Sequence, residues 1–128
     1  MDRITQSEEA IMNLLWKQGS LSIMQLVQEL EESKHWSKQT IVSFLRRMEE
    51  KGTVKYEQKG RTKYYYATID KDDVVQKETK GILNRFFGGK WGTMVSYMAK
   101  ETQLSDEDIN ELWDVLQELR EAKDGKYD

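Results

Sequence analysis

Gln39, Ser43 and Arg46 follow one another four and three residues apart, with Lys38, Thr40 and Arg47 beside them. On a helix this spacing gathers amide, hydroxyl and guanidinium groups along one side. Those are the groups that pair with base edges and phosphates in the DNA major groove. The opposite side carries Ile41, Phe44, Leu45 and Met48 at i, i+3, i+4 and i+7, an apolar face made for a core. Residues 37–51 are therefore predicted as a recognition helix. Gln39, Ser43 and Arg46 would enter the groove, with Arg47 flanking them. Lys38 and Thr40 would sit in the first turn, where free backbone N–H groups and the positive helix end attract phosphate.

The next run, TVKYEQKGRTKYYYATI over residues 53–69, is rich in Tyr, Val and Thr on either side of KGRT. That pattern predicts a β-hairpin with strands over 53–58 and 63–69. Lys59, Arg61 and Lys63 stand at its tip, placed to meet the sugar-phosphate backbone, where contacts position a protein and carry little sequence information. Charge is distributed accordingly. The chain as a whole is at net −3. Residues 34–65, however, hold nine Lys or Arg against three Glu, a local net charge of +6, while residues 1–33 sum to −4 and residues 66–128 to −5. A basic stripe on an acidic molecule focuses positive potential where a polyanion would lie.

The elements that must hold these side chains are marked by caps. Thr5 with Glu8 opens a first helix bearing Ala10, Ile11, Leu14 and Leu15, and Gly19 closes it. Ser22 caps a second helix with Ile23, Leu26, Val27 and Leu30 on one face, and residues 33–36 turn into the third. Three helices and a hairpin make a winged helix-turn-helix over residues 1–70. From residue 71 to 128 only helices are expected, over 70–87, 91–100 and 105–123, with Gly88 and Gly89 as breaks. Ile109, Leu112, Leu116 and Leu119 alternate three and four apart on the last, and Ile82, Phe86, Met94 and Met98 offer further apolar surface. Three short helices cannot easily bury all of it, so these eight residues are expected to dimerise with a second copy. The predicted fold class is mainly α with a small β-hairpin wing, a winged helix-turn-helix followed by a three-helix dimerisation domain.

Other chemistries find little support. The absence of Cys excludes disulfides and thiolate metal sites, and His35 is the only His, so no metal and no cofactor are expected. Asp106, Glu107 and Asp108 sit where a helix first turn would be, and negative charge there complements the helix dipole rather than marking a metal or acid-base cluster. Trp16, Trp36, Trp91 and Trp113 are expected as packing residues. There is no phosphate-cradling Gly loop and no nucleophile motif, so no catalytic residue is expected and the chain is not predicted to be an enzyme. No apolar run reaches the length of a membrane span, and MDRITQSEE has no apolar signal region, which predicts a soluble cytoplasmic chain with no membrane partner. Two functions from different classes remain. One is a repressor on double-stranded DNA. The other is a winged-helix adaptor or RNA-binding module, which would have no need of Gln39, Ser43, Arg46 and Arg47 on one solvent-facing side.

The blocks TQSEEAIMNLLWKQGSLSIMQLVQEL, SKQTIVSFLRRMEEKGTVKYEQKGRTKYYYATI, RFFGG and LSDEDINELWDVLQEL together resemble the penicillinase repressor and methicillin-resistance regulator family nearly end to end. Glu8, Leu15, Trp16, residues 40–52, Gly60, Arg61, the Tyr64 to Tyr66 cluster and Phe87-Gly88-Gly89 carry the resemblance. It implies a homodimeric winged-helix repressor with a C-terminal helical dimerisation domain, bound to dyad-symmetric operators. Where the β-lactam-responsive members have an Asn-Phe bond cut by a membrane sensor protease, this chain reads Tyr97-Met98, so the resemblance does not carry that partner over. It also lacks the Cys-rich tail of the copper-responsive branch, and Lys90 stands where the family usually has Ser.

Overall fold

Short polar side chains start the helices of the N-terminal half, because each satisfies backbone N–H groups that a first turn leaves without partners. In a computed structural model that describes residues 4–125, helix α1 spans Gln6–Gln18. Thr5 and Glu8 cap it reciprocally: the Glu8 N–H donates to Thr5 Oγ1 at 3.2 Å and the Thr5 N–H donates to Glu8 Oε1 at 2.9 Å. Ser22 and Gln25 repeat the device for α2, Ile23–Lys34. Ser37 caps α3, Lys38–Lys51, and Gly52 closes it in the left-handed region at φ 84°. α2 ends instead on His35 at φ 55°, a conformation that costs a side-chain-bearing residue more than it costs Gly.

Strands β2, Val54–Lys59, and β3, Thr62–Ala67, form the expected hairpin, each displaced by a residue or two from the sequence-based bounds. Thr53 is the reason at the first strand. It is buried, its hydroxyl donates to Met48 O at 3.2 Å, and it finishes the helix instead of joining the ladder. A further strand, β1 at Leu21–Ser22, pairs antiparallel with Tyr65 and Tyr64, so the hairpin belongs to a three-stranded sheet in the order β1-β3-β2. Ser22 serves both strand and cap, since an N-cap already has extended backbone.

One core joins these elements. Ile11, Met12 and Leu15 of α1, Leu26 and Leu30 of α2, Ile41, Leu45 and Met48 of α3, and Val54 and Tyr65 of the sheet are buried together, with Trp16, Trp36 and Phe44 packed at its margin. The Trp16 indole N–H donates to Ile69 O at 2.9 Å, fastening α1 to the chain leaving the wing.

α4 spans Lys71–Phe87, α5 Trp91–Glu101 and α6 Asp106–Gly125. The chain forms two compact units that divide between Glu78 and Thr79, inside α4, since Val74 near the start of that helix packs on the winged-helix core. Gly88 and Gly89, at φ 57° and 78°, end α4 as expected. Ser105 and Asp108 cap α6 reciprocally at 3.0 and 3.3 Å.

Candidate nucleic-acid interface

The face of α3 opposite its buried Ile41, Leu45 and Met48 presents Gln39, Ser43, Arg46 and Arg47 to solvent, all exposed. Positions 39, 43, 46 and 47 follow the helical repeat, so one apolar face seated in the core obliges the other four to project together. Lys38 is exposed beside them. Thr40 differs: it is half-buried, its backbone N–H donates to Ser37 Oγ at 3.2 Å, and its hydroxyl shares a 3.0 Å hydrogen bond with the same oxygen. Its side chain therefore helps to close the helix cap, and that first turn still offers backbone N–H groups to an anion.

Beyond α3, the wing carries a second set of cations. Lys59 and Thr62 are register partners, leaving Gly60 and Arg61 as a two-residue loop. Gly60 has φ 64° while Arg61 does not have positive φ, the sign pattern of a type II′ turn, which suits the twist of paired strands and needs Gly at its first central position. Arg61, Lys59 and Lys63 are all exposed. Both lysines stand over rings, Lys63 Nζ at 4.5 Å from the Tyr56 centroid and Lys59 Nζ at 5.7 Å from that of Tyr64. Tyr64 and Tyr66 are half-buried on one face of the hairpin, and Tyr65 is buried on the other.

The recognition helix and wing are tied to their scaffold by polar contacts that the sequence pattern did not reveal. Glu8 is 1% exposed and its Oε1 accepts from Lys51 Nζ at 2.7 Å, linking the first turn of α1 to the last turn of α3. Burial alone would raise the Glu8 carboxyl, but the Lys51 ammonium and the Thr5 N–H outweigh it and hold the group below its ordinary value. At the other joint, burial chiefly, together with the charge of Glu49 and the hydrogen bond to it, pushes the Tyr65 hydroxyl above its usual range. Thr68 donates its hydroxyl to Gly52 O, anchoring the end of the wing at the end of α3.

In the second unit the side chains expected to dimerise are mostly on the surface. Ile82, Phe86, Met98, Ile109, Leu112, Leu116 and Leu119 are exposed, Phe86 by 72%. Met94 is the exception at 9%, and it is the sole buried hydrophobic residue among the described residues past Glu78. Trp91 and Trp113, expected to pack, are also exposed on this chain, whereas Trp16 and Trp36 pack on the core. Val95, Met98, Ala99 and Leu104 face Leu112 and Val115 across an apolar groove of about 370 Å³.

The model of the family described as penicillinase repressor matches residues 4–118. The chain belongs to the penicillinase repressor family. It is 33% identical over 121 residues to the penicillinase repressor of Bacillus licheniformis, an alignment covering 94% of each protein. With the penicillinase repressor of Staphylococcus aureus it shares 30% over 116 residues, 91% of this chain and 92% of that one. Among solved structures, the solution structure of the monomeric form of Bacillus licheniformis BlaI in complex with the blaP half-operator superposes with a TM-score of 0.50 at 30% identity, covering 56% of this chain and 88% of that chain. A MarR family protein from Bacillus stearothermophilus has the same fold with a TM-score of 0.53 over 95% of this chain and 76% of that one, at 17% identity. Family membership accords with the resemblance read from the sequence, and the mainly helical winged-helix fold with it. Among the described residues no helix is long and apolar enough to cross a membrane, and no group of three His, Cys, Asp or Glu is placed to hold a metal ion.

Proposed function

We propose that this protein is a homodimeric transcriptional repressor, cytoplasmic and without catalytic activity, that occupies a dyad-symmetric promoter operator through α3 and the wing. The observation that carries this reading is the two-sided α3: one face is locked in the core, and the other offers Gln39, Ser43, Arg46 and Arg47 together with the wing cations Lys59, Arg61 and Lys63. Gln pairs with adenine and Arg with guanine in the major groove, so Gln39 and Arg46 are assigned to base reading, and Lys38, Arg47 and the wing to the phosphates. The complex of Bacillus licheniformis BlaI with the blaP half-operator supports the class of partner. Dimerisation through the C-terminal helices is supported by the excess of exposed apolar side chains past Glu78, and the domain division proposed is a DNA-binding domain over residues 1–70 and a dimerisation domain over residues 71–128.

The test is to recover genomic fragments bound by the purified protein and map the protected site. The expected site is a palindrome whose half-site centres lie about one or two helical turns apart, each roughly 10 base pairs. On that site, Gln39→Ala or Arg46→Ala is expected to cost about 1 to 3 kcal/mol per contacted base and to relax preference at one position in each half-site. Equal loss on random DNA would make those side chains phosphate anchors, and recovery of RNA or protein in place of DNA would return the chain to the adaptor class.

A further inference from the structure

Beside the recognition helix, four side chains form a continuous stack. The Arg47 guanidinium carbon lies 5.4 Å from the Phe44 ring centroid, and Phe44 meets Trp36 edge to face at 4.9 Å with 63° between the planes. Lys34 Nζ stands 5.8 Å over Trp36 at the outer end. Both rings are half-buried and packed against the core, so the stack is rooted, while Lys34 and Arg47 are exposed. The two cations therefore flank an aromatic ledge that spans the turn into α3.

We propose that Trp36 and Phe44 are positioning residues that hold Lys34 and Arg47 as phosphate contacts of the bound duplex. This rests on the DNA-binding reading above and adds to it Lys34, on α2, and a reason for two aromatic residues at the edge of the interface. A guanidinium held over a ring by a cation–π contact still has N–H groups to offer, and Arg pairs with a phosphate through two of them. An unrestrained exposed Arg or Lys loses rotamer freedom when it meets the duplex, and a side chain already held on a ring has less to lose. Because phosphate contacts carry little sequence information, the ledge strengthens binding to every sequence alike.

The test compares wild type, Phe44→Leu, Arg47→Ala, their double variant, Lys34→Ala and Arg47→Lys on two duplexes of equal length, a genomic fragment recovered by the wild type and a random sequence, over a range of salt. Arg47→Ala and Lys34→Ala are each expected to flatten the log-log salt dependence by about 0.9 per lost phosphate contact. Phe44→Leu is expected to weaken binding about two- to tenfold on both duplexes, the rotamer freedom that one side chain no longer held must lose on meeting the phosphate, and to add nothing in the Arg47→Ala background. Arg47→Lys leaves the core untouched and keeps the charge, so it reports even if Phe44→Leu disturbs folding, and it too is expected to bind weaker than wild type. An equal Phe44→Leu effect with and without Arg47 would reduce the ring to packing and overturn the proposal. So would salt slopes unchanged by Arg47→Ala and Lys34→Ala, or wild-type affinity in Arg47→Lys. A wild type that prefers no genomic fragment over random DNA would instead count against the operator reading itself.

Discussion

At the scale of single residues, the chemistry of this surface is organised by a few polar pairs reaching between helices. Glu8 is the clearest, since its carboxylate joins the Thr5 cap of α1 and the Lys51 ammonium at the end of α3 in one buried contact. Its depressed carboxyl fixes the sign of a pH effect. The ionised form is favoured by the fold, so the stabilisation is fully present above the ordinary carboxyl value of 4.5 and fades as pH falls through the lower folded value. Glu8→Gln retains a side chain able to cap Thr5 but removes the charge opposite Lys51. It is expected to lose on the order of 2 kcal/mol at neutral pH, in the range of a charge-assisted hydrogen bond. Thermal melts from pH 7 to pH 3 should show wild type and variant converging on the acid side. A gap that stays constant to pH 3 would mean that ionisation of Glu8 does not stabilise the fold.

At the scale of elements, the wing is a lever whose reach depends on its turn. Gly60 supplies the positive φ that lets the strands close in two residues, and the turn sets Arg61 at the exposed tip. Arg61→Ala should weaken binding to all DNA alike and lower the log-log salt slope by about one unit. An unchanged slope would show a wing that does not touch the duplex. Several of these elements were legible in the sequence because their ends are written in side chains: Thr5 and Ser22 at the starts, Gly19, Gly88 and Gly89 at the stops. What escaped depends on geometry between distant residues. β1 has two residues, too few for any alternation, and Ser22 already read as a cap. The end of α2 at His35 lacks the Gly that usually signals a left-handed stop. The candidate DNA-facing side chains followed from helical spacing, whereas the ledge at Phe44 and the Glu8–Lys51 pair follow from how a turn and two helices happen to meet.

At the scale of the whole molecule, the two units solve the burial problem differently. The winged helix encloses a core drawn from three helices and a sheet. Past Glu78, Met94 alone among the described residues is a buried hydrophobic, while Ile109, Leu112, Trp113, Val115, Leu116 and Leu119 are exposed on α6. An apolar patch of that extent on a small helical unit calls for a covering partner, and in the proposed homodimer a second copy would supply one with matching stripes and two-fold symmetry. Dimerisation would then set affinity as well as stability, because a second half-site bound by a tethered partner benefits from high effective concentration. Replacing Leu112 and Leu116 by Glu would place carboxylates without partners in that interface, at a cost of several kcal/mol. Sedimentation should show wild type as a dimer at micromolar concentration and the double variant as a monomer, which still melts cooperatively through its winged-helix core. The same variant should bind a single half-site about as well as wild type does, yet lose the gain that wild type shows on the full palindrome. A wild type that sediments as a monomer would remove the basis for two-fold operator symmetry. A variant that is monomeric but retains the full palindrome affinity would separate assembly from recognition and place the pairing of protomers on the DNA itself.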